Sequence, residues 1–227
     1  EEEAETLFGI LKSIGKEAYL ALYDQLGAIA CRILVPGYSE VYPIEDLVWD
    51  NTNKALIFRA DILNIFNLDN ADLGALLERL ENNELDEYGD IATLIGIEFD
   101  ENTPWGQLTV LELKLLIHLA LKQFHEAHEL VGAFLQYNDN TVERKLFYQA
   151  LSAVLEILLD DDLELDNFIV NFRLMFGSER MDAVVGSVDG TVRFHGLTPT
   201  SMKLEGLDRH HRLIDSYRKL HAARSRL

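Results

Sequence analysis

Apolar positions recur at helical spacing from the start of the chain. Leu7, Leu11, Ile14, Ala18, Leu22 and Leu26 share a face across residues 4–26, and Gly27 follows the last of them. This pattern predicts one helix with Gly15 as its weak point. Residues 28–35 then form an apolar run broken only by Arg32 and stopped by Pro36-Gly37. Its length and branched side chains predict a strand buried on both faces, with Cys31 as a core cysteine. A lone strand leaves its backbone donors and acceptors unpaired, so the run reads as the end piece of a mixed sheet whose other strands lie elsewhere.

Beyond that turn the periodicity is helical for most of the chain. Helices are predicted over 43–66, 71–82, 104–123, 124–137, 141–159, 167–176 and 203–225. Asp69 or Asn70 can cap the second of these, and Thr103 with Pro104 can start the third. The 104–123 segment is apolar nearly all round, so it should be central. Lys114, His118 and Lys122 form a narrow stripe on it that should reach solvent. The short connection 137–140 suits antiparallel neighbours. The helix pair around Phe124 and Ala127 is loosely tetratricopeptide-like, without a strict repeat. Residues 183–194 change character: Asp189-Gly190 between branched residues predicts a β-hairpin.

The expected fold class is therefore mainly α with minor β. An α-β end piece over 1–66 precedes a tetratricopeptide-like antiparallel helical bundle over 67–178. A β-hairpin and terminal helix over 179–227 complete the chain.

Charge sharpens this picture. The net charge of the chain is −19. Residues 1–199 hold 13 Lys+Arg against 36 Asp+Glu, and residues 200–227 hold 7 against 3. An acidic body repels phosphate backbones, which disfavours direct nucleic-acid binding. The basic tail suits a helix C-terminus, or an acidic surface on a second copy. One cysteine excludes an intrachain disulfide and a cysteine-based zinc site. No apolar run reaches bilayer length, so a cytoplasmic location without membrane partners is expected. Glu1 stands where a methionine would begin a gene product, and the chain reads as a fragment or processed product.

Four segments invite chemistry. His125 and His128 are three apart, whereas the zincin motif needs four; a metal would need a third ligand from another helix, and surface-helix histidines are the competing account. Residues 160–166 have the charge of a calcium loop but not the glycine at its sixth position. Residues 186–190 lack the Gly-Lys-Ser/Thr ending of a phosphate loop. Glu40, Glu45 and Asp46 follow the predicted strand, where ligands gather in open sheets, or else serve a helix start. No nucleophile–base constellation accompanies them, so a non-catalytic interaction module is expected. Phe194, Leu204, Leu207 and Ile214 are its candidate dimer or partner contacts.

The stretch 31–49, with Val35-Pro36-Gly37 and acidic Glu40, resembles the strand and turn that close the catalytic domain of the YcaO family. Residues 85–88, 91–100 and 196–206 are similar to the C-terminal region of its enterobacterial-type members. The resemblance spans essentially the whole chain. It implies a full-length protein that binds ATP and magnesium through residues upstream of this chain, and none of those ligands maps onto it. It implies a role assisting RimO, a radical methylthiotransferase that modifies an aspartate of a small-subunit ribosomal protein. It also implies a homodimer formed through a tetratricopeptide-like half. Heterocycle-forming relatives end in a proline-rich tail; residues 222–227 contain no proline, which counts against cyclodehydration.

Overall fold

Stop signals, more than periodicity, decide where the elements end. The computed structural model describes residues 2–23, 30–36, 38–39, 53–100, 103–136 and 141–224. Contacts divide the chain into two units, Glu1–Thr52 with Asp208–Leu227, and Asn53–Leu207.

In the first unit, helix α1 (Glu2–Ser13) ends at Gly15, whose φ is 72°. The Gly15 amide donates to the Lys12 carbonyl at 3.1 Å and the Lys16 amide to the Leu11 carbonyl at 2.8 Å. This pair of bonds closes the helix in a Schellman motif. The expected helix over 4–26 is thereby corrected, because glycine in the left-handed region terminates it. Strand β1 (Tyr19–Tyr23) follows and pairs antiparallel with β2 (Ala30–Leu34), Leu20 opposite Ile33 and Leu22 opposite Cys31. The predicted strand thus finds its neighbour locally. It is not doubly buried: Cys31, Arg32 and Ile33 are exposed. Terminal helix α10 (Asp208–Arg224) belongs to the same unit and starts later than its periodicity suggested.

The second unit is helical. It runs through α2 (Ala55–Leu63), α3 (Asn70–Asn82), α4 (Ile91–Ile95), α5 (Val110–Ala120), α6 (Phe124–Gln136), α7 (Val142–Leu158), α8 (Ile169–Phe176) and α9 (Ser178–Asp189). Asp69 caps α3, accepting from the Asp72 amide at 2.9 Å. The expected helix over 104–123 is two elements. Thr103 caps a 3-10 turn, Pro104–Gln107, and Thr109 restarts the chain as α5. Extended residues 108–109 lie between them because Ile91 takes the Leu108 carbonyl at 2.9 Å in a short bridge, Asp90 opposite Thr109.

Helix α5 is the axis of the core. Val110 to Leu119 are all buried, and α3, α6 and α9 pack against it. Its polar stripe stays largely out of solvent. Lys114 donates to Glu87 at 2.6 Å and His118 pairs with Gln123 at 2.8 Å; of the three, only Lys122 is exposed. The hairpin expected over 183–194 is also corrected. Met181, Val184 and Val188 sit at helical spacing on a buried face of α9, and Gly190 caps its end (φ 94°, ψ 5°). Asp-Gly serves a left-handed helix stop as readily as a tight turn, and here the 3.6-residue period prevails. No described helix is long and apolar enough to cross a membrane.

Candidate functional site

Two helix caps bring the central side chains together. Thr109 accepts from the Glu112 amide at 3.3 Å, and Thr141 accepts from the Arg144 amide at 3.4 Å. Each cap satisfies an otherwise orphaned N–H and fixes the first turn of α5 or α7. The third residues of those turns then meet: Arg144 forms an ion pair with Glu112 and donates to the Gln107 carbonyl at 3.3 Å. Tyr148, one turn beyond Arg144, donates its hydroxyl to the other Glu112 oxygen at 2.7 Å.

This network is buried. Glu112 is 6% exposed and Tyr148 3%. Burial raises the Glu112 pKa above its ordinary value, opposed by the Arg144 charge and by hydrogen bonds from Tyr148 and Arg144. Burial, reinforced by the neighbouring carboxylate, drives the Tyr148 phenol well above its usual range. Both carboxylate oxygens have donors, so Glu112 is built to hold α5 against α7.

The opposite wall is the loop after α9. Phe194, at φ 55°, is buried and meets the Phe66 ring edge-on at 5.4 Å. Arg193 donates to the Leu68 carbonyl at 3.3 Å through both terminal nitrogens. Trp105 donates its indole N–H to the Thr198 carbonyl at 2.9 Å. Anchored at these points, the loop lays His195 flat on Phe147, with ring centroids 4.0 Å apart and planes 15° apart. Burial lowers the His195 pKa, so the neutral imidazole is favoured.

Between these walls lies a cleft of about 940 Å³ in the second unit. Glu112, Arg144, Phe147, Tyr148 and His195 line it with the start of α9, where Gly177 (φ 90°) turns the chain. Arg180 closes that end, bonding the Phe176 carbonyl and reaching Glu143 at 2.6 Å. A cleft of this volume with aromatic walls and a few fixed polar groups is suited to binding.

The residues singled out from sequence lie elsewhere. Glu40, Glu45 and Asp46 fall outside the described residues. His125 is exposed, and His128 approaches Glu156 at 3.8 Å. Among the described residues no three His, Cys, Asp or Glu side chains gather to hold a cation. Phe194 is core, whereas Leu204, Leu207 and Ile214 are half-buried. Periodicity missed Glu112, Arg144, Tyr148 and His195; the signal available was Thr109 and Thr141, each a cap three residues before a charge.

Residues 55–226 match the family model described as the YcaO cyclodehydratase C-terminal domain. The chain belongs to this family. It is 30% identical over 229 residues to the ribosomal protein S12 methylthiotransferase accessory factor YcaO of Escherichia coli (strain K12). It is 31% identical over 229 residues to an uncharacterized protein of Haemophilus influenzae (strain ATCC 51907 / DSM 11121 / KW20 / Rd). Each match covers 99% of this chain and 39% of the relative, so the chain spans about two fifths of the curated relatives' length. The resemblance seen in residues 31–49, 85–88, 91–100 and 196–206 is thus a family relationship. Within the match lie both cap-borne residues, Glu112 and Arg144, and the His195 loop.

Proposed function

We propose that this YcaO-family chain is a protein-binding module serving a methylthiotransferase that acts on a ribosomal protein. The open cleft beside the Glu112–Arg144–Tyr148 network carries the reading, because its volume of about 940 Å³ can take a chain segment and hydrogen-bonded side chains hold its walls. The accessory-factor name of the Escherichia coli relative supplies the system. In this account the helical unit is a non-catalytic scaffold of tetratricopeptide kind: α5 packs on α6, and α6 on α7, as successive helical pairs.

Calorimetric titration of the full-length protein with the methylthiotransferase, and separately with its ribosomal-protein substrate, tests the proposal. Binding to at least one, weakened by the cleft-filling change Ala183→Phe, is expected. No binding to either overturns the reading.

Self-association belongs to the same proposal, with Leu204, Leu207 and Ile214 as contacts and the basic residues of α10 facing the acidic body of a second copy. Sedimentation that finds only monomer would remove it. ATP and magnesium are assigned to the intact protein, where Glu40, Glu45 and Asp46 would contribute. Unchanged nucleotide affinity in Glu45→Gln and Asp46→Asn would remove that contribution. One face of the β1–β2 pair bears Leu20, Leu22, Cys31 and Ile33, all exposed. An apolar sheet face of this kind is suited to packing against further protein.

A further inference from the structure

Resting on the protein-binding reading above, we infer that the cleft selects an extended, basic segment of its partner, with an arginine or lysine seated beside His195 and paired with Glu179. Charge is the first argument. The unit Asn53–Leu207 holds 11 Lys+Arg against 27 Asp+Glu, a net −16. Inside the cleft, Arg144 is committed to Glu112 and Arg180 to Glu143. Glu179, exposed in the first turn of α9, has no ion pair among the described residues. The uncompensated charge at the rim is therefore negative.

The second argument is shape. His195 lines the cleft backed by Phe147, and neither imidazole nitrogen has a hydrogen-bond partner among the described residues. A planar guanidinium stacks on an aromatic face of this kind, and the imidazole nitrogens can hydrogen-bond a peptide group at the ring edge. Helix α9 has no side-chain cap. Its first amides are thus left to meet carbonyl oxygens of an extended chain. Proteins that pack against nucleic-acid phosphates carry basic segments, and the ribosomal client of the reading above would supply one.

Fluorescence anisotropy on the full-length protein tests this with a labelled decapeptide of alternating Arg and Gly, and with its Glu-Gly counterpart. The Arg peptide should bind, weaken with salt and be displaced by unlabelled client. Glu179→Lys, on the exposed surface, should weaken it about fivefold, and His195→Ala by a similar factor. Tighter binding of the Glu peptide, or an Arg-peptide affinity unchanged in both variants, overturns the inference. If the full-length protein binds its partner by calorimetry but not the Arg peptide, this inference fails while the protein-binding reading stands. If it binds neither, both fail.

Discussion

Replacing Arg144 with methionine isolates the contact that fixes the cleft. Its side chain is 22% exposed and that of its partner Glu112 8%. Methionine keeps much of the stem's packing but withdraws the only cation bonded to Glu112 among the described residues, leaving the Tyr148 hydroxyl as its other described side-chain donor. Breaking a buried pair from one side costs about 3–5 kcal/mol, because an uncompensated charge stays inside. The partial exposure of Arg144 and the ability of Glu112 to take up a proton place the expected loss near the lower end, about 3 kcal/mol. In a unit of this size that lowers Tm by roughly 6–12 °C. Differential scanning calorimetry at neutral pH reads it directly. Adding Glu112→Gln removes the stranded charge and should restore at least half of the loss. A single variant within about 1 °C of wild type, or a double variant no better than the single, would refute the assignment of Glu112–Arg144 as the clamp between α5 and α7.

Three further outcomes follow from the same geometry. Phe194→Ala empties a buried site against Phe66 and should cost about 3–4 kcal/mol, read as an earlier urea midpoint. The unfolded chain titrates His195 near 6.5 and the fold depresses that value, so its stabilising effect is present above about 6.5 and is lost as pH falls. Between about pH 7 and pH 5, wild-type Tm should therefore fall more steeply than that of His195→Phe; parallel curves would contradict it. Gly186→Ala places a methyl 2.7 Å from Val192 Cγ2, and this crowding should outweigh the helix-propensity gain, for a net loss of about 1 kcal/mol in thermal unfolding.

The helical unit was largely legible because its burial is periodic. Helix α3 lies where the 71–82 pattern and Asp69 placed it, and α5 is as central as its apolar circumference implied. Legibility failed where one residue type serves two geometries. Gly15 and Gly190 are left-handed helix stops, yet in sequence the first looked like a flaw inside a helix and the second like a hairpin turn. Tyr19–Tyr23 carries apolar spacing compatible with a helix, and only its pairing with Ala30–Leu34 decides for a strand. The cleft was the hardest part to read. Glu112 and Arg144 are 32 positions apart, and their meeting depends on how α5 and α7 are aligned through α6, a tertiary fact that no local pattern encodes.

Hydrogen–deuterium exchange on the full-length protein, with and without saturating ribosomal-protein client, tests the central claim most directly. Added protection at the first turns of α7 and α9 and across residues 194–198 is the predicted result. Protection confined to residues outside Asn53–Leu207, with the cleft segments exchanging as in the free protein, would contradict it.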